Sequence, residues 1–134
     1  MIKKIEHVGI AVKDLEKSNN LFKKLLGSAN YKTETVETEN ITTSFFKLGD
    51  QKIELLKSAS NSGPISRFLD KRGEGMHHLA LHVEDISKEI QRLEKEGFSF
   101  VSKIPTKGAD NKMIVFLHPK TTNGVLIELC QEIK

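Results

Sequence analysis

The chain has 134 residues and a mass of 15.1 kDa, the length of one domain able to bury roughly two thirds of its unfolded surface. Hydrophobic residues at 37%, charged residues at 29% and a mean hydropathy of -0.36 exclude a membrane span, a collagen-like repeat and bulk disorder. With 21 basic and 18 acidic residues the net charge is only +3, and seven Phe and one Tyr leave few rings for base stacking, so neither nucleic acid nor membrane is expected as a partner. The basic opening Met1–Lys4 resembles the start of a signal peptide, but Glu6, His7 and Asp14 interrupt it before an apolar core can form, which predicts a cytoplasmic location. Cys130 lies in the apolar run Val125–Cys130 and reads as a buried structural thiol.

In chain order, His7–Val12 alternates small or polar residues with apolar ones, the pattern of a half-buried strand. Asp14 then stands at a helix N-cap, Leu15, Phe22, Leu25 and Leu26 form the predicted apolar stripe, and Gly27 ends the helix. Strands are predicted at Tyr31–Val36, Thr42–Leu48 and Gln51–Leu56, followed by a short helix with Pro64 in its first turn, Ile65, Phe68 and Leu69 on its apolar side, and Gly73 at its end. The pattern then repeats. His78–Val83 is a strand, Asp85 an N-cap, Ile86, Ile90 and Leu93 a stripe with Leu81 in the core, Gly97 a C-cap, and strands follow at Phe98–Lys103, Met113–His118 and Val125–Cys130. His7 to Lys17 matches His78 to Lys88 at an offset of 78 - 7 = 71 residues, and Lys52–Leu56 matches Leu126–Cys130 at 74. The reading is a single α+β domain over residues 1–134. Module 1 runs over about residues 2–58, the linker helix over about 62–73 and module 2 over about 75–132, each module a βαβββ unit, and the two form a cupped mixed sheet around a metal site.

The metal is inferred from the repeat. Residues two apart on a strand share a face, so His7 looks the same way as Gly9 and Ala11, and His78 the same way as Ala80 and His82. In Ile53-Glu54-Leu55 and Ile127-Glu128-Leu129 the apolar neighbours mark the core side, which turns each glutamate to the opposite face, where a carboxylate needs a partner. His7, Glu54, His78 and Glu128 occupy equivalent points of the two modules, and two imidazoles with two carboxylates suit a divalent ion with positions left for substrate oxygens. Cobalt is the first choice; manganese, nickel, zinc and magnesium also fit such a set. His77 faces away and reads as structural, His82 lies at the rim or in the core, His118-Pro119-Lys120 opens a turn, and Lys112 and Lys120 read as solvated lysines. No phosphate-cradling glycine loop, Ser-His-Asp order or helix-borne metalloprotease signature is present.

Three segments carry a family resemblance: His7–Glu16, Lys71–Ala80 with its His77-His78 pair, and Phe116–Lys120 with Gly124–Leu129. They resemble the methylmalonyl-CoA epimerases of the vicinal oxygen chelate (glyoxalase/bleomycin resistance/dioxygenase) superfamily, from about Ile2 to Gln131. The resemblance implies an isomerase that interconverts (2R)- and (2S)-methylmalonyl-CoA by proton transfer at the alpha carbon through a metal-stabilised enolate. It also implies an acyl-CoA substrate and metal ligands at His7, Glu54, His78 and Glu128; Glu128 is read here as one catalytic base, and a homodimer is expected. Some members carry glutamine where Glu54 stands, and some place a second proton-transfer glutamate in the strand that here reads Ile41-Thr42-Thr43-Ser44. The alternatives are a glyoxalase I (lactoylglutathione lyase), which shares module, metal and enolate logic, and a metal-free small-molecule-binding protein of the same fold. A purely structural dimer module leaves the off-core glutamates unexplained.

Overall fold

The alternating run builds β1 (Ile2–Ala11), and Asp14 starts α1 (Leu15–Leu26) by accepting a hydrogen bond from the Lys17 backbone N–H at 3.0 Å. The same device recurs 71 residues later: after β5 (Gly75–Val83), Asp85 accepts from the Lys88 N–H at 3.1 Å and starts α3 (Ile86–Lys95). The structure is a computed structural model that describes residues 1–134 and divides into two units, Val8–His77 and Met1–His7 with His78–Lys134.

In the Val8–His77 unit the strands lie in the order β2-β3-β4-β1, with β2 (Lys32–Val36), β3 (Ile41–Leu48) and β4 (Gln51–Ser58) antiparallel neighbours. One apolar cluster joins Val12, Phe46 and Leu55 to Leu15, Phe22 and Leu26 of α1. A second joins Ala11 and Leu56 to Ile65, Phe68 and Leu69 of α2 (Pro64–Arg72). Adjacent residues such as Leu55 and Leu56 are therefore both buried, each under a different helix. Leu25 departs from the predicted stripe and is 71% exposed. Ten residues after Leu15 it lies about 80° off the line through Leu15, Phe22 and Leu26, enough to turn it into solvent.

In the other unit the order is β1-β5-β8-β7-β6, with β8 (Ile127–Glu132) parallel to β5 and antiparallel to β7 (Lys112–Phe116). Val83, Ile86, Ile90, Leu93, Val115, Leu117 and Leu129 form the core between α3 and the strands. Leu81 is only half-buried at its edge, so it is not the core residue expected. The predicted strand Phe98–Lys103 is reduced to one bridge, Phe100 to Leu117, because Phe98 and Phe100 pack into this core rather than into a ladder. The strand pairing with β7 is instead β6 (Thr106–Gly108), joined to it by a turn in which Asp110 and Asn111 take φ of 61° and 54°. Gly108 allows the close pairing, since a Cβ there would meet Ile114 Cδ1 at 2.8 Å. Lys112 is 5% exposed and lies 3.6 Å from Asp110, so it is not the solvated lysine expected. Gly97 follows the capping residue Glu96 rather than being it; its φ of 95° lets Gly97 N–H and Phe98 N–H return to the carbonyls of Glu94 and Leu93.

The buried face of α3 also carries one charge. Glu89 sits among Ile86, Ile90 and Leu93, and both its oxygens accept from Arg92 Nε, at 2.8 and 3.0 Å. The Arg92 hydrogen bond, opposed by burial and assisted by its charge, lowers the Glu89 carboxyl below its ordinary value. The stabilisation is present above the usual carboxylate range and is lost as pH falls below it. Glu89→Gln is therefore expected to lower Tm at pH 7 and to approach the wild-type Tm by about pH 3, as followed by thermal melts across that range.

Candidate metal centre

Alternation along β5 separates two sets of side chains. Leu81 and Val83 go to the α3 core, while Ala80 joins Ile114, Cys130 and Phe116 in a separate cluster, on the face that His78 shares. β8 divides in the same way: Ile127 and Leu129 pack under α3, and Glu128 takes the face of Cys130. The parallel register sets Ala80 opposite Glu128, and the antiparallel register sets Phe116 opposite it on the other side. Glu128 is therefore flanked by a small residue and by an aromatic ring whose centroid lies 5.8 Å from that of His78.

His7, His78 and Glu128 are buried and converge. His7 Nε2 and His78 Nε2 are 3.0 Å apart, His78 Nε2 and Glu128 Oε1 3.0 Å, and His7 Nε2 and Glu128 Oε1 3.4 Å. Ligands about 2.1 Å from a common centre lie about 3.0 Å apart at right angles and about 3.4 Å apart at the tetrahedral angle. The three edges thus fit a single divalent ion, and the donor set of two imidazole nitrogens and one carboxylate oxygen suits the same ion. Burial alone would raise the Glu128 carboxyl, but hydrogen bonds and positive charge from His7 and His78 outweigh it and hold the carboxyl down at about 2. Glu128 is an anion at neutral pH, in a place that requires a cation beside it.

Glu54 lies on β4 of the other unit and is also buried. It stands opposite Phe45 of β3 as Glu128 stands opposite Phe116 of β7, so the repeat holds at the level of strand register. His77 is turned away, its ring edge-on to Phe68 at 5.0 Å, as expected of a structural residue. His82 is half-buried opposite Cys130. Cys130 is a fully buried free thiol whose Sγ lies 3.5 Å from the Leu81 carbonyl oxygen. His118 accepts from the Lys120 N–H at 3.3 Å, ahead of the short turn of helix Pro119–Thr121. No helix is long and apolar enough to cross a membrane.

One neighbour of the triad escapes the sequence pattern. Glu6 is buried, and its Oε1 lies 3.0 Å from His7 Nδ1. Successive strand residues point to opposite faces, so a carboxylate just before a histidine is not expected to reach it. The adjacent acidic-histidine pair Glu6-His7 is the only sequence sign of this contact.

The model of the glyoxalase/bleomycin resistance protein/dioxygenase superfamily matches residues 6–116. The mitochondrial methylmalonyl-CoA epimerase of Dictyostelium discoideum is 39% identical, over 96% of this chain and 78% of its own length. The ethylmalonyl-CoA/methylmalonyl-CoA epimerase of Cereibacter sphaeroides is 38% identical, over 98% of this chain and 99% of its own. A solved structure of a Streptomyces coelicolor methylmalonyl-CoA epimerase variant, in complex with 2-nitronate-propionyl-CoA, superposes with a TM-score of 0.94 at 28% identity, covering 98% of this chain and 96% of that one. The repeated βαβββ order, the His/His/Glu triad and these likenesses agree: the chain belongs to the glyoxalase/bleomycin resistance protein/dioxygenase superfamily and, within it, to the methylmalonyl-CoA epimerase family.

Proposed function

We propose that this protein interconverts (2R)- and (2S)-methylmalonyl-CoA. The observation that carries the reading is the buried convergence of His7, His78 and Glu128 in a chain whose relatives are epimerases of this substrate. His7, His78 and Glu128, with Glu54 as the fourth ligand, would hold a divalent ion, for which cobalt is the first choice and manganese, nickel, zinc and magnesium are alternatives. Glu54 is assigned to the set because it is the buried, register-equivalent partner of Glu128 in the repeat. When bound, such an ion supplies Lewis-acid stabilisation of the negative charge that develops on the thioester oxygen as the alpha proton leaves.

The chain's own residues would do the rest. Glu128, ionised at neutral pH, takes the proton from the carbon between carboxylate and thioester and becomes a carboxylic acid, while the C–H electron pair moves toward the thioester oxygen. A carboxylate that is also a ligand must slacken its hold to do so, which makes the placement of His7 and His78 around it part of the mechanism. Return of a proton to the other face completes the inversion. The stretch Ile41-Thr42-Thr43-Ser44 offers no carboxylate for that step. A homodimer and a cytoplasmic location are proposed with this function, the latter in keeping with a single buried thiol.

The test is an exchange experiment. Metal-loaded protein incubated with methylmalonyl-CoA in heavy water is expected to place deuterium at the alpha carbon, as read by mass spectrometry. No uptake above buffer, together with conversion of methylglyoxal and glutathione to lactoylglutathione, would reassign the chain to glyoxalase chemistry.

A further inference from the structure

Resting on the reading of His7 as a metal ligand, we propose that Glu6 is a positioning residue that selects which nitrogen of His7 faces the site. His7 has two ring nitrogens in different surroundings. Nδ1 is 3.0 Å from the buried Glu6 Oε1, while Nε2 is 3.0 Å from His78 Nε2 and 3.4 Å from Glu128 Oε1. A carboxylate can only accept, so Nδ1 carries the proton and donates it to Glu6. Nε2, the nitrogen that converges with His78 and Glu128, is then the one that gives up its proton when a metal binds. The hydrogen bond also fixes rotation about the ring's attachment, and its negative charge makes Nε2 a stronger donor. Glu6 is 4% exposed, so in the folded chain its carboxylate rather than bulk water meets Nδ1.

Removing the acceptor is expected to release the tautomer. The Nε2–H form, in which the proton occupies the ligand position, then becomes populated, and metal affinity falls.

Two readouts on the full chain test this. In Zn2+-loaded protein, nitrogen-15 NMR is expected to show His7 ligated through Nε2 with its proton on Nδ1 in wild type, and a fraction of unligated Nε2–H rings in Glu6→Ala. Calorimetric titration with Co2+ is expected to show affinity about 10- to 100-fold weaker in Glu6→Ala. Glu6→Gln restores an acceptor and is expected to recover the Nδ1–H tautomer and part of the affinity, which a merely structural role would not predict. If Glu6→Ala fails to fold, Glu6→Leu fills the same space without an acceptor and is expected to behave as Ala would. An unchanged tautomer with Co2+ affinity within twofold of wild type, or a Gln variant no better than the apolar ones, overturns the proposal. Absence of Co2+ binding in wild type would overturn the metal reading instead.

Discussion

Replacing His78 with Ala is expected to lower kcat/KM for methylmalonyl-CoA by about a thousandfold or more and to weaken divalent-metal binding, while leaving the far-UV spectrum of the protein unchanged. His78 Nε2 lies 3.0 Å from both His7 Nε2 and Glu128 Oε1, so the substitution removes one corner of the triad and one of the two imidazoles that stabilise the buried carboxylate. Losing one electrostatic contact to a developing oxyanion costs on the order of a hundred- to a thousandfold, and a lost ligand also lowers occupancy of the ion that makes the contact. The fold is expected to survive because His78 is on the face of Ala80 and Cys130, whereas the main core of its unit lies on the other side of β5. Chelation of wild type should reproduce the loss, and added Co2+ should reverse it in wild type but not at the same concentration in the variant. Wild-type metal affinity in His78→Ala, or full activity in protein shown by elemental analysis to be free of metal, would refute the assignment.

The second large effect is on stability. Phe46 is 1% exposed, packs with Val12 and Leu55 in the core beneath α1, and its ring centroid is 6.2 Å from that of Phe22. Phe46→Ala is expected to cost about 3–5 kcal/mol, the loss of aromatic transfer energy plus the cavity left in a packed site. For a chain of this size that lowers Tm by roughly 10 °C or more. Phe46→Leu, which keeps most of the volume, should recover much of the loss. A fall in Tm of only a few degrees in Phe46→Ala would mean that α1, none of whose residues is fully buried, settles into the space. Urea denaturation of the three proteins at one pH distinguishes these outcomes through the midpoint.

The sheet face that holds His78 and Glu128 is lined by small or apolar side chains, Ala80, Cys130, Ile114 and Phe116. Lys112, buried and 3.6 Å from Asp110, lies on the same strand as the last two.

What the sequence determined was the helix caps and the strand faces, which follow from local periodicity and from the repeat. Asp14 and Asp85 cap their helices because a short acceptor before an apolar stripe has one favourable use, and the structure keeps both. The faces of Glu54 and Glu128 were readable because period-2 alternation fixes orientation once the neighbours Leu55 and Leu129 are known to be core. Tertiary structure decided what depends on contacts distant in sequence. Phe98 and Phe100 have the alternation of a strand, yet packing under α3 takes them out of the ladder, and the pairing partner of β7 comes from the unpromising Thr106-Lys107-Gly108. Lys112 looks like any solvated lysine until Asp110, held at positive φ in the turn, is brought against it. Glu6 is hidden for a related reason: the alternation rule assigns it to the face opposite His7, and only the path of the side chains in the folded strand returns its carboxylate to Nδ1. Periodicity states which way a side chain leaves the backbone; where its polar end arrives is set by the neighbours that surround it.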